Sequence, residues 1–260
     1  MEDYKSRQNP IRNIEPIDKS NLHLLGYLIE DDVDQNLLDS IRQQGQNNFE
    51  TYLSWDYLDV YVATSMRKKW EYIDVNILCN KVFNQNKLKN INIRYFDPTQ
   101  NYHKNSIAKG LIEGLMLKRA KCTLYLVQET DTMGKDSEMA ATLAQGKPVI
   151  AYVPRISSRK RIGELRHLGI EVILDKAEIL KQVVEPDDMH QFSACLNKIN
   201  KLKLDTVPDM RLFAKKLSQH KKEYETLIRL VSIYEERFYD KRAYTLKYNH
   251  PLRFQIDLNE

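Results

Sequence analysis

Residues 121–154 read KCTLYLVQETDTMGKDSEMAATLAQGKPVIAYVP. A β-branched and aromatic run, CTLYLVQE, leads into a polar loop, TDTMGKD. A short stretch of small apolar residues follows, SEMAATLAQG, and then a second apolar run, KPVIAYVP. The two apolar runs predict buried strands, and the segment between them predicts a short helix that stops at Gly146. A strand, a helix and a strand in this order are the unit from which parallel sheets are built.

The same alternation extends on both sides. Upstream, YLDVYVATS predicts a buried strand, and RKKWEYIDVNILCNKVFNQN has Trp70, Ile73, Ile77, Leu78 and Val82 at helical spacing. INIRYFDP predicts a strand stopped by Pro98, and NSIAKGLIEGLMLKRAK a helix with Ser106 as its N-cap. Downstream, IEVILD predicts a fifth strand. Residues 21–57 carry a short helical pattern, DDVDQNLLDSIRQQ, and an aromatic cluster of Phe49, Tyr52, Trp55 and Tyr57. The expected class is α/β, with a parallel sheet of about five strands covered on both faces.

The chain has 260 residues, of which 29% are charged and 42% hydrophobic, the balance of a globular protein with a sizeable core. A formal charge of +4 is too small to indicate nucleic acid as a partner. Cys79, Cys122 and Cys195 share no metal-like spacing, so no metal site is expected and a reducing cytoplasm fits best. No apolar run approaches the ~18 residues of a membrane span. With only 8 glycines, and neither a G-x-G-x-x-G nor a Walker pattern, no Gly-rich phosphate loop is expected.

Beyond Pro208 the pattern changes. Phe213, Leu217, Tyr224, Leu227, Val231, Tyr234 and Phe238, with His220 filling the gap, alternate by four and three. This predicts a heptad seam on one helix of roughly 30 residues. Such a seam packs on the rest of the chain, or it mediates a homo-oligomer or a partner contact through residues 210–240. The last segment, LRFQIDLNE, alternates like a strand and has no hairpin partner, as if the chain were part of a longer protein or completed a sheet elsewhere.

In parallel sheets, ligands bind at the carboxyl ends of the strands. That rule selects the turn Thr64-Ser65-Met66-Arg67, the turn Asp97-Pro98, and the loop from Glu129 to Glu138. With Asp136 or Ser137 as N-cap, Glu138 falls in the first turn of its helix, where free N–H groups keep a carboxylate ionised. Such a carboxylate can attack an anomeric carbon or stabilise an oxocarbenium-like transition state; it can equally be a solvated charge at a helix start. The backbone N–H groups at 64–67, the Ser65 hydroxyl and the Arg67 guanidinium can hold a phosphate, or simply form a capped helix start. Asp97 can bind a ribose hydroxyl or cap its turn. Glu113 lies between Gly110 and Gly114, two helix-interior glycines that each cost roughly 1 kcal/mol against alanine and imply close approach of a backbone or a ligand.

DVYVATSMR together with KGLIEGLMLKRAKCTLYLVQETDTMGKDSEMAATLAQGKPVIAYVP resembles the nucleoside 2-deoxyribosyltransferase-like family, which includes nucleotide N-glycosidases. The likeness covers roughly residues 58–175 and is best in the helix-opening pattern from Glu138 through Gly146-Lys147-Pro148-Val149-Ile150. It departs from the family pattern at Met139-Ala140-Ala141, where glycine is usual, and at Thr142, where alanine is. The resemblance implies a flavodoxin-like, doubly wound fold and cleavage of an N-glycosidic bond. Glu138 then corresponds to the nucleophile and Glu113 to the assisting acid. Ser65 and Arg67 resemble the family's phosphate-binding turn, and Thr64, Met66, Asp97, Gly134 and Ser137 complete the expected substrate-binding residues. No cofactor is implied, with NAD+ or a nucleoside monophosphate as substrate. A fainter similarity joins the chain to TIR domains, which, like the first family, include NAD-cleaving antiphage effectors. The alternatives are a deoxyribosyltransferase of nucleotide salvage and a nucleotide-sensing module without turnover. The expected organisation is an N-terminal extension over 1–57, a catalytic domain over 58–185, and a helical segment over 186–260.

Overall fold

The structure, a computed structural model, describes residues 14–26, 33–89, 91–130, 132–204 and 210–249. The chain divides into two compact units, Met1–Tyr152 and Val153–Glu260. The boundary expected at 185 thus falls inside the second unit.

The first unit holds α1 (Gln35–Ser54), β1 (Leu58–Ala63), α2 (Lys69–Phe83), a single turn α3 (Asn86–Lys89), β2 (Tyr95–Phe96), α4 (Ser106–Arg119), β3 (Ala120–Leu126), α5 (Met133–Ala144) and β4 (Val149–Tyr152). The strands form one parallel sheet in the order β2-β1-β3-β4. The chain winds outward from β1 in one direction, then returns past it to β3, so the order reverses between β1 and β3. That reversal is where open α/β sheets form a ligand crevice.

Strand alternation assigns the two faces. Val62, Leu124 and Leu126 pack with Val75, Cys79 and Phe83 of α2. The intervening positions face the other way. Tyr61 stacks on Phe96 with ring centroids 5.3 Å apart, and Tyr52 of α1 meets Phe96 edge-on at 4.7 Å. On the same face the Thr123 and Thr142 hydroxyls are 2.7 Å apart and the Tyr125 hydroxyl donates to Asp136 at 2.6 Å, which ties β3 to α5. Gly146, at φ +68, closes α5: its N–H donates to Leu143 O at 2.9 Å, and Lys147 N–H to Thr142 O at 3.1 Å. This double bond pattern is a Schellman stop, which glycine adopts without the Cβ penalty.

The second unit is helical: α6 (Ser158–Leu165), α7 (Ile170–Leu180), α8 (Pro186–Leu204), α9 (Met210–Gln219) and α10 (Lys221–Tyr244). Two expectations are corrected here. IEVILD is the start of α7, not a fifth strand; the sheet has four strands among the described residues. Ile173, Leu174, Ala177 and Leu180 are buried, a helical stripe that continues past the β-branched run and decides its conformation. The single long helix is instead two, broken at His220, whose backbone (φ −109, ψ 27) leaves the helical region. Leu227, Val231, Tyr234 and Phe238 are buried, and α10 packs against α6, α7 and α8 of its own unit. The seam residues of α10 are therefore occupied by neighbouring helices. Under them, Glu235 is fully buried between two cations: Arg161 donates through Nε at 2.7 Å and Nη2 at 3.2 Å, and Lys176 Nζ lies at 2.9 Å. The expected terminal strand, LRFQIDLNE, lies outside the described residues. Among the described residues, no helix is long and apolar enough to cross a membrane.

Candidate functional site

A cleft of about 330 Å³ opens at the carboxyl ends of β1 and β3, lined among others by Tyr61, Thr64, Lys109, Glu113, Lys135 and Glu138. Its volume is at the lower end of small-molecule sites. Ser65, Met66, Gly110 and Gly134 also face it. The two carboxylates singled out in the sequence thus arrive in one place, Glu113 from α4 and Glu138 from α5.

Glu138 does not sit where its sequence context places it. Thr132, not Asp136 or Ser137, caps α5, accepting from Lys135 N–H at 3.3 Å, and the helix begins at Met133. Glu138 therefore lies in the second turn, away from the free N–H groups that would keep it ionised. Burial pushes its carboxyl up to about 8; the Tyr61 hydroxyl, donating to Oε1 at 2.8 Å, pulls it down, while the Glu113 charge pushes it further up and Lys135 pulls it down. The expectation of a carboxylate kept charged by a helix terminus is overturned: Glu138 lies beyond the first turn, and burial favours its protonated form. Glu113 is also raised, by burial, and Lys109, 3.9 Å away, lowers it. Both carboxylates in turn raise Tyr61, whose phenol is already held neutral by burial.

The Thr64–Arg67 turn is close at hand, but the Ser65 and Arg67 amides and the Thr64 and Ser65 hydroxyls already donate within the protein. Ser65 N–H donates to Gln128 Oε1 at 2.7 Å and the Thr64 hydroxyl to the same oxygen at 2.9 Å. The buried Ser65 hydroxyl donates to Thr130 O at 2.8 Å. Arg67 and Lys68 N–H both donate to Glu71 Oε2, at 2.7 and 2.9 Å, and Glu71 is fully buried with a further bond from the Thr130 hydroxyl. A carboxylate three residues into a helix that reaches back to its free amides is the side-chain half of a capping box. The exposed Arg67 side chain does not line the cleft.

Asp97 is also corrected. Its carboxyl caps the following turn, accepting from Thr99 N–H at 2.9 Å and the Thr99 hydroxyl at 2.7 Å. It lines a separate cavity of about 500 Å³ beside Tyr52, Asn76, Arg94 and Gln100, while its neighbour Pro98 reaches the Glu138 cleft. Burial raises its carboxyl, and hydrogen bonds from Thr99, Asn76 and Cys79 lower it. Ser137 is exposed and donates to Met133 O at 2.7 Å, so it serves its own helix. At Gly110, Gly114 and Gly134, an added Cβ would meet no protein atom within 4 Å. No neighbouring backbone explains the helix glycines; Gly110 and Gly134 border the open cleft.

Three cleft residues were not singled out from sequence. Tyr61 was detectable from strand alternation, which puts it on the face opposite Val62, under α5. Lys135 was detectable from its spacing of three from Glu138, which aligns them on one helix face. Lys109 stands four before Glu113 by the same rule. Lys135 is 2% exposed, and among the described residues its Nζ has no hydrogen-bond partner. Burial lowers its ammonium to about 8, against the pull of the surrounding carboxylates Asp136, Glu71, Glu129 and Glu138. Compared with family models, with curated proteins and with solved structures, the chain finds no match.

Proposed function

We propose that the protein cleaves the N-glycosidic bond of a nucleotide, either NAD+ or a nucleoside monophosphate. The observation that carries this reading is the convergence of Glu138, Glu113 and the Tyr61 hydroxyl on one cleft at the reversal of strand order. The strand order agrees with the flavodoxin-like winding implied by the deoxyribosyltransferase-like resemblance, and the open space at Gly110 and Gly134 leaves room for a sugar ring.

In this reading, Glu138 as carboxylate attacks C1′, the C1′–N bond breaks, and its electron pair leaves with the base. Water then cleaves the glycosyl ester, giving the free sugar and restoring the carboxylate. The raised Glu138 releases its proton to solvent as the substrate binds: positive charge on a nicotinamide ring, or developing at C1′, stabilises the carboxylate against the cost of its burial. The Tyr61 hydroxyl favours that same charged form through its hydrogen bond. Glu113, facing the same space, is placed to take the proton from the attacking water. The test is incubation of the purified protein with NAD+, deoxynucleosides and monophosphates, reading released bases by mass. Glu138→Gln is expected to abolish release while remaining folded; release at the parent's rate by that variant sinks the assignment.

One observation favours a second reading, a nucleotide-sensing module without turnover. A glutamate held protonated at neutral pH by burial is a poor nucleophile. Calorimetric nucleotide binding with no product over long incubation selects it.

A further inference from the structure

We propose that Lys135 forms the floor of a phosphate subsite in the Glu138 cleft, with Lys109 at its rim. The inference deepens the nucleotide reading of the cleft by naming where the phosphate is held.

Three observations meet at this point. First, a buried ammonium without a hydrogen bond is costly, because three donors have been removed from water with no acceptor in exchange. Lys135 is such a group: it is 2% exposed, and among the described residues Nζ has no acceptor, although carboxylates on α2, β3's exit loop and α5 lie around it. Its nearest described aromatic partner is the Tyr125 ring, 5.2 Å from Nζ, which supplies attraction but no hydrogen-bond acceptor. A ligand that brings oxygen acceptors supplies what the protein omits. Second, the ordinary anion seat of this architecture is closed. The N–H groups of Ser65, Arg67 and Lys68 already donate to Gln128 and Glu71. A phosphate entering the cleft therefore finds its donors on lysine side chains, not on the first strand–helix turn. Third, Gly134 and Lys135 both line the cleft, and an added Cβ at Gly134 meets nothing outside its own helix within 4 Å. Lys109 lines the same cleft and is held only by a long contact to Glu113 at 3.9 Å. Because Lys135 and Glu138 share one face of α5, a phosphate on Lys135 brings the attached sugar toward the Glu138 carboxyl.

The test is calorimetric binding of ribose 5-phosphate and of ribose to the full chain and to Lys135→Met. The parent is expected to bind ribose 5-phosphate at least ten-fold more tightly than ribose, and Lys135→Met to lose that difference. Lys135→Met takes the cation away from Glu71, Glu129, Asp136 and Glu138 and is expected to melt lower than the parent, so its binding is read below its own melting temperature. Lys135→Arg keeps the charge and is expected to retain the preference for the phosphate. Equal affinity of the parent for the two sugars overturns the proposal, as does an unchanged phosphate preference in Lys135→Met. If phosphate binding follows Lys135 but no nucleotide releases its base, the glycosidase reading fails and this one stands. If base release proceeds and Lys135→Met binds phosphate like the parent, this one fails alone.

Discussion

Replacing Glu138 by glutamine should stabilise the protein while it removes activity, and the gain should depend on pH. Glu138 moves from 4.5 to about 8 on folding, so the folded state prefers its protonated form. Between those values the folded chain binds more protons than the unfolded one, and stability falls as pH rises. Below 4.5 both states are protonated and nothing is lost; above 8 both are ionised and the loss is complete. At about 1.4 kcal/mol per pH unit, a rise of about 3.5 units (8 minus 4.5) corresponds to roughly 5 kcal/mol at the plateau. Because the carboxyl edges an open cleft that water reaches, about 2–3 kcal/mol is the expected yield. Glutamine is neutral at every pH and still accepts from the Tyr61 hydroxyl. The assay is urea unfolding of parent and Glu138→Gln at pH 5, 6, 7 and 8. The difference between them should be smallest at pH 5 and grow steadily to pH 8. A difference that is flat across this range, or a variant less stable than the parent at pH 8, refutes the argument that burial imposes the cost.

Two further outcomes test the second unit. Glu235→Ala leaves Arg161 and Lys176 buried without their shared partner and should cost about 3–5 kcal/mol in urea unfolding; because those cations hold the Glu235 carboxyl down to about 2, the parent should keep this stabilisation above pH 4.5 and lose it as pH falls toward 2. Leu227→Asp, at a position with no exposed surface, should unfold the helical unit and expose it to protease, and a folded variant that merely changes oligomer size on gel filtration would show that the seam faces a partner after all.

The parts of the molecule legible in the sequence were those governed by a local period. The apolar runs of β1, β3 and β4, and the glycine stop at 146, need only their own residues to declare themselves. So does the rule that sends ligands to strand ends, which selected the loop leading to Glu138, while Glu113 was singled out by its flanking glycines. What failed required knowing a distant neighbour. IEVILD reads as a strand until Ala177 and Leu180 complete a buried helical stripe. Asp136 and Ser137 could each have capped α5, and Thr132, further upstream, does so. Ser65 has the look of an anion ligand until Gln128 and Thr130, more than sixty residues away, are found to hold it. Asp97 behaved as its plainer alternative, a turn cap.

Glu71 gives the first strand–helix turn a built-in counter-ion. Its carboxylate sits on two amides at the start of α2, where proteins of this architecture often leave room for a nucleotide's phosphate. The chain thus supplies from its own sequence the negative charge that others borrow from a ligand, and the turn is rigid before anything binds. Shortening that one side chain would return the two amides to solvent and turn a self-neutralised helix start into an open pair of donors.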